Sequence, residues 1–278
     1  MQLQQLTALS LKLDFYGWRE YDLLKSSGFN MRKPLRRLRR LPALQELRLA
    51  MEWTSAVETA SAWAQLPQLC DLEVRDSGSQ GFAGRAPRQR LAAVVAQIGA
   101  TTALTKLVLD VPGQGSFGLD EQQAAADVCA GIIGLTRLKH LELGLHPSAR
   151  HDGRAPAVVA GDVCMLTALT GLTHLALPHG HGSVGDDRAA KLACCLKQLC
   201  HLNLDACCIG SMVCLGPIAD LQQLTALHLD SNPGVTQQGL MLLTRLSRLQ
   251  RLDVCRNAEV TDAAVKHFWS ALHGGGGV

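Results

Sequence analysis

The sequence predicts an α/β solenoid: one curved sheet of parallel strands, backed by helices and built by repeating a single short unit. Three observations carry this. First, residues 199–257 are three copies of one line: Leu199-Cys-His-Leu202-Asn-Leu204-Asp-Ala-Cys207, Leu224-Thr-Ala-Leu227-His-Leu229-Asp-Ser-Asn232 and Leu249-Gln-Arg-Leu252-Asp-Val254-Cys-Arg-Asn257, spaced 25 residues apart. Second, Leu227 and Leu229 alternate with polar neighbours, the signature of a strand with one buried face. Third, the period then changes: Gly239, Leu240, Leu242, Leu243 and Leu246 fall at helical spacing. One strand and one helix cannot bury their apolar faces alone, but stacked copies can.

The pattern LxxLxLxx(N/C) resembles the leucine-rich repeat family. Val235-Thr-Gln-Gln-Gly-Leu240 and Val260-Thr-Asp-Ala-Ala-Val265 look like helix starts of its cysteine-containing, ribonuclease-inhibitor-like subclass. The resemblance implies a horseshoe with a concave parallel β-sheet and convex helices. It also implies that Asn232 and Asn257 bond to backbone groups where the chain leaves the strand, with Cys207 taking that place once. Thr236 and Thr261 stand where N-caps belong.

The line can be followed back to the start of the chain. Its copies begin at Leu6, Leu44, Leu69, Leu104, Leu138, Leu172, Leu199, Leu224 and Leu249, which makes nine repeats separated by 38, 25, 35, 34, 34, 27, 25 and 25 residues. Most units are therefore a basic 25 with an insertion. The reading is one solenoid over 1–272, with irregular insertions at 14–40, 77–88, 112–118, 146–156 and 179–186. The first repeat begins at once, with Leu3, Leu6, Leu9 and Leu11 on pattern and nothing polar before it. Such an edge is expected to self-associate or to be covered by another segment.

The first insertion carries Tyr16, Trp18 and Tyr21 and ends in Arg32-Lys-Pro-Leu-Arg-Arg-Leu-Arg-Arg40. That basic run reads either as a nuclear-import or nucleic-acid patch or as a solvated convex face. Trp53 to Leu66 reads as an Ala-rich helix with Val57, Ala60 and Ala64 inward. Residues 77–88 are a loop by composition, followed by a helix to Ile98. After a Gly-rich loop at 112–118, Asp120 is placed to cap a helix to Ile133. The loops at 146–156 and 179–186 complete a set that follows the strand and precedes the helix in each of four repeats. Insertions at one place in a stacked unit project from one edge. They form a ragged, partly basic rim carrying Arg85, Arg88, Arg150 and Arg154, which is either a binding lip or tolerated surface drift. At the end, Val265, Phe268, Trp269 and Leu272 make an amphipathic helix that caps the last repeat. Residues 273–278 are expected to be a disordered Gly-rich tail.

With the fourth and sixth positions buried, the third and fifth point to the concave face. The third position reads Ala8, Glu46, Asp71, Lys106, His140, His174, His201, Ala226 and Arg251. The fifth reads Ser10, Arg48, Glu73, Val108, Glu142, Ala176, Asn203, His228 and Asp253. Strands lie about 4.8 Å apart, so His140, His174 and His201 form a ladder, with Glu142, Asn203 and His228 beside it. The seventh position adds Asp205 and Asp230. This constellation reads as a hydrogen-bonding surface for a protein partner, as imidazole and carboxylate metal ligands, or as family filler. A flat ladder fits tetrahedral geometry poorly.

The chain has 278 residues, 47% of them apolar, with a net charge of +3. That charge does not call for nucleic acid. No secretory signal precedes the first repeat, no Asn-x-Ser/Thr acceptor is present, and no apolar run approaches the ~20 residues of a membrane span. The ten cysteines contain no CxxC pair. A reducing, cytoplasmic setting is expected, and the cysteines are read as structural, mostly buried by the repeat. There is no phosphate-loop, HExxH, GxSxG or post-strand GxGxxG motif, and no cofactor is expected. The leading expectation is a non-catalytic scaffold that binds a protein partner through the concave face and the rim. The resemblance also implies three alternatives: substrate recognition in an F-box-type ubiquitin ligase, a structural part of the ciliary axoneme, or a GTPase-activating regulator with a rim arginine such as Arg85 or Arg154. Elemental analysis of freshly purified protein should find zinc well below one equivalent; a 1:1 content would overturn the reading of the cysteines.

Overall fold

The computed structural model describes residues 5–12, 41–51, 60, 62–63, 65–76, 88–111, 128–145, 163–178 and 184–274. Nine strands form one sheet in sequence order, each parallel to the next. They are β1 (Ala8–Lys12), β2 (Glu46–Met51), β3 (Asp71–Asp76), β4 (Lys106–Val111), β5 (His140–Leu145), β6 (His174–Ala176), β7 (His201–Asn203), β8 (Ala226–Leu229) and β9 (Arg251–Val254). Each strand is the alternating segment of one repeat, and the fold is a leucine-rich-repeat solenoid.

The register is set in the same way at every step. The N–H groups of the second and third positions of a line both donate to the second-position carbonyl of the line before. Gln45 and Glu46 donate to Thr7, Cys70 and Asp71 to Gln45, and so on to Gln250 and Arg251 on Thr225, all at 2.7–3.1 Å. Where the second residue is Thr, its hydroxyl reinforces the bond. Thr105 donates to the Cys70 carbonyl at 3.1 Å, Thr173 to that of Lys139 at 3.0 Å and Thr225 to that of Cys200 at 3.0 Å. Because side chains alternate with a period of two, fixing one pair fixes every outward residue. The observed pairs run Lys106↔His140↔His174↔His201↔Ala226, as the line spacing requires.

The fourth and sixth positions fill the interior. Leu47, Leu72, Leu107, Leu141, Leu175, Leu202 and Leu227 are all fully or almost fully buried. Leu9 and Leu11 at one end and Leu252 at the other are only half-buried, since their strands are the outer members of the sheet. The second layer consists of α1 (Arg88–Gly99), α2 (Gly185–Cys195), α3 (Met212–Ala219), α4 (Gln237–Leu242) and α5 (Asp262–Gly274), with 3₁₀ turns at Val163–Ala168 and Leu243–Arg245. Residues 128–132 are also helical. Thr236 and Thr261 do cap: their Oγ1 atoms accept from Gly239 N at 3.0 Å and Ala264 N at 3.2 Å. Phe268 seals the last repeat at 0% exposure, with Val265, Trp269 and Leu272 packed at its edge.

Asn232 is the polar joint between the seventh and eighth repeats. It is fully buried, yet none of its side-chain polar atoms lacks a partner. Its Oδ1 accepts from Cys207 N at 3.0 Å and Ile209 N at 3.2 Å. Its Nδ2 donates to the carbonyls of Leu204, Leu229 and Asp230 at 2.8–3.1 Å. A short amide is needed, because only it donates and accepts at this reach. Cys207 substitutes partially, its thiol donating to the Leu177 carbonyl at 3.1 Å. Just beyond, a Cβ on Gly210 would run into the backbone of Gly234, so glycine permits the two turns to touch.

The structure corrects three expectations. Cysteine burial is the exception: Cys129, Cys207 and Cys214 are buried, whereas Cys194, Cys195 and Cys208 are exposed. Cys194 and Cys195 lie at the outer end of α2 and Cys208 in a left-handed turn at φ 55°. The fifth insertion, 179–186, ends earlier than its composition suggests, since α2 already begins at Gly185. The C-terminal helix runs on through His273 to Gly274, helped by Trp269 stacking on the His273 ring at 5.6 Å. In the segment after β2 Trp63 is fully buried, in addition to the Val57, Ala60 and Ala64 that the spacing points inward. Ala60 is buried as expected, while Val57 and Ala64 lie outside the described residues. So do insertions 14–40, 112–118 and 146–156, and the basic run at 32–40.

Leu227→Ala removes a fully buried side chain and should cost about 2–5 kcal/mol. In a solenoid that loss is shared with neighbours only. Hydrogen exchange should rise mainly between residues 199 and 257; an even rise reaching β1 would contradict nearest-neighbour coupling.

Candidate functional site

The register places His140, His174 and His201 side by side on β5, β6 and β7. Their rings stack: His140 and His174 are 5.1 Å apart between centroids at 23°, and His174 and His201 are 4.2 Å apart at 11°. The ladder expected from the third position is therefore present as a physical stack. Asn203 and His228 sit beside it at the fifth position.

Thr173 anchors the central ring: its Oγ1 lies 2.8 Å from His174 Nδ1 and 3.0 Å from the Lys139 carbonyl oxygen. That leaves His174 Nε2 as the ring nitrogen without this anchor. The ring is kept neutral by its surroundings. Partial burial, then the rings of His201 and His140, push His174 down from 6.5 to about 4. His140 is also lowered, by burial and Lys106, against the opposing pull of Glu142 and Asp71. His201 is lowered by partial desolvation and by His228.

Ion pairs flank the stack on both sides. Toward the N-terminus Arg75 reaches Glu73 at 2.6 Å, Glu142 at 3.2 Å and Asp110 at 3.8 Å. Partial burial works against its charge, but these carboxylates prevail and raise its pKa. Because Arg75 is on β3 and Glu142 on β5, the bridge spans β4. Val108, on β4 between Glu73 and Glu142, is only 1% exposed although it occupies an outward position. Lys106 pairs with Asp71 at 3.3 Å and Arg48 with Glu73 at 3.8 Å. Toward the C-terminus, Asp253 binds both His228 Nδ1 at 2.7 Å and Arg251 at 2.9 Å.

Asp205 and Asp230 do not stand beside the ladder as expected. Asp205 Oδ1 accepts from Asp230 N at 2.7 Å, which ties it to the edge where the strands exit. On that edge lies a shallow depression of about 620 Å³, bordered by Asp186, Cys208, Ser211, Met212, Pro233 and Gln238. Met212 and Val213 beside it are 41% and 58% exposed. Asp186 staples the edge by accepting from Gly210 N at 2.9 Å and Ser211 N at 3.1 Å. Its burial would raise the carboxyl pKa, but these bonds and one with Cys214 lower it; in turn, burial and Asp186 push the Cys214 thiol up. Of the rim arginines, Arg88 opens α1, while Arg85, Arg150 and Arg154 lie outside the described residues. Arg75 and Asp253 were readable as outward positions, but their pairing across strands was not. Asp186 carried no local signal. Among the described residues no group of three or more His, Cys, Asp or Glu could hold a metal ion, and no helix is long and apolar enough to cross a membrane.

No protein-family model matches the chain, and no curated protein matches it in sequence. Solved structures similar to it include an internalin from Listeria monocytogenes, at 16% identity and a TM-score of 0.41, covering 80% of this chain and 65% of the internalin. A complex of Rad7 and Elc1 from yeast aligns at 14% identity and 0.45, covering 86% and 70%. The ectodomain of the Arabidopsis receptor kinase HAESA, in complex with a peptide hormone ligand, aligns at 14% and 0.44, covering 80% and 32%. The chain thus spans just under two thirds of the internalin and about one third of the receptor ectodomain. The fold itself rests on the nine-stranded parallel sheet and its repeating register.

The depressed pKa of His174 makes folding pH-dependent, with a definite sign. The unfolded chain takes up the proton near pH 6.5 and the folded one only near 4, so stability is full above 6.5 and declines as pH falls toward 4. Denaturant melts of wild type and His174→Gln should diverge in slope across that window. By NMR, His201→Ala should move the His174 titration back toward 6.5, since it removes both a covering ring and a repelling one.

Proposed function

We propose that this leucine-rich-repeat solenoid is a non-catalytic scaffold that binds a protein partner on its concave face, with the insertion rim as a second contact. One observation carries the reading: the middle of the face differs in kind from its flanks. Three stacked, neutral imidazoles lie next to small residues, Ala176 and Ala226. Around them run the ion pairs of Arg75 on one side and Asp253 on the other. A stacked aromatic centre inside a polar ring matches the anatomy of a protein interface, where central contacts hold the energy and the ring excludes water. Rigid neighbouring strands preorganise that centre, so little ordering entropy opposes docking.

The binding residues in this reading are His140, Glu142, His174, His201, Asn203 and His228, with Asp205 and Asp230 at the strand-exit edge. Arg85, Arg88, Arg150 and Arg154 are the weaker rim set. Affinity purification followed by mass spectrometry would supply the partner. Replacing His174 and His201 together with Ala should leave folding intact, because both rings point away from the core. It should weaken that partner at least tenfold, about 1.4 kcal/mol. Normal binding by the double variant, with binding lost on trimming 77–88 and 146–156, would move the site to the rim.

A further inference from the structure

We propose that the partner segment received by the concave face is basic, rich in Lys or Arg, and that protonation of the histidine stack releases it. This rests on the concave-face reading above and adds the chemistry of the occupant.

The first support is a separation of charge within one molecule. The chain as a whole carries +3. The outward strand positions have the opposite sign. Among the described residues, the half from β2 to β5 bears five carboxylates, Glu46, Asp71, Glu73, Asp110 and Glu142, against Arg48, Arg75 and Lys106. On β7 to β9 Asp253 faces Arg251, while Asp205 and Asp230 add two carboxylates at the strand-exit edge just beyond β7 and β8. The surplus is thus two carboxylates on β2 to β5 and two more on that edge. A surface of net negative charge favours a cationic partner as it approaches. The neutral stack dilutes none of that charge.

The second support is the stack itself. Thr173 Oγ1 holds His174 Nδ1 at 2.8 Å and leaves Nε2 for a visitor. A charged imidazole receives anions, whereas a neutral one can accept from a guanidinium, an ammonium or a backbone N–H. Here the stack resists the charged form, because rings 4.2 and 5.1 Å apart would carry like charges. The groups facing the stack from neighbouring strands are Asp71, Lys106, Glu142 and His228. Of these, Glu142 is engaged by Arg75 and Asp71 by Lys106; both carboxylates still favour the charged form of His140, but burial and Lys106 outweigh them.

The sign of the pH dependence follows. A basic segment binds the neutral rings and holds protons off them. Acid protonates the rings, removes the acceptor and adds positive charge opposite positive charge. Affinity must fall with pH; an acidic segment would show the reverse.

The full chain can be titrated by fluorescence anisotropy with three synthetic peptides of equal length: one of Lys, Arg and Ser, one of Glu and Ser, one of Gln and Ser. The basic peptide should bind best at neutral pH, weaken with added salt, and lose affinity progressively as pH falls from 6.5 toward 4. Asp230→Asn with Asp253→Asn should weaken it, whereas Asp220→Asn, on the helical side beside Arg245, should not. His174→Gln, which cannot take up a proton, should narrow the ratio of affinity at neutral pH to affinity in acid, whatever its effect at neutral pH. Absent binding of the basic peptide, tighter binding of the acidic one, affinity that rises as pH falls, or equal effects of the concave and helical-side variants would each overturn the proposal. A purified partner that needs His174 and His201 yet binds more tightly at low pH would overturn it alone and leave the scaffold reading standing.

Discussion

The fold depends on one backbone joint, made eight times over. At each step two adjacent N–H groups converge on a single carbonyl of the preceding repeat. The joint contains no side chain that must be conserved in type, so it tolerates Thr, Gln, Cys or Lys at the second position. What it does not tolerate is a slip. A shift of one residue would turn the whole buried set outward. The leucines on the inner face and the joint at the strand start therefore enforce each other. Insertions of about ten residues between strand and helix leave both untouched, in keeping with the slow growth of loop-closure entropy with length.

A strict register has an electrostatic consequence. Residues of like type at the same line position are brought within stacking distance, whether or not that is favourable. Three histidines so placed stay neutral. Acidic residues so placed need cations, and these arrive from other line positions and other strands. Arg75 serves three carboxylates from the seventh position of its own line, and Asp253 is shared between His228 and Arg251. Pairs this exposed add little to stability singly. Their effect is to fix the polar border of the face.

The C-terminal part of the array, whose last three repeats keep the basic spacing of 25, carries side-chain joints as well as backbone ones. Asn232 spans two turns, Asp186 staples a third, and threonines close the helix starts. Gly210 allows the turns to meet. This rigidity extends to the depression on the strand-exit edge, where Met212 and Val213 stand exposed on a backbone that is itself well tied.

The sequence alone determined the period, and with it most of the architecture. Two leucine positions per line fix the buried face, and counting from them placed His140, His174 and His201 on neighbouring strands before any coordinate was known. Caps at Thr236 and Thr261 were legible too, because capping is decided within four residues. The tertiary structure decided what those side chains do. The reach of Arg75 to Glu142, 67 residues away, the low pKa of His174 in its stack, the edge-bound role of Asp205 and the exposure of Cys194, Cys195 and Cys208 have no local signature. The physical reason is that periodicity constrains the backbone, which a single repeat suffices to express. Pairing and ionisation are sums over neighbours supplied by several repeats, so they exist only once the repeats have stacked.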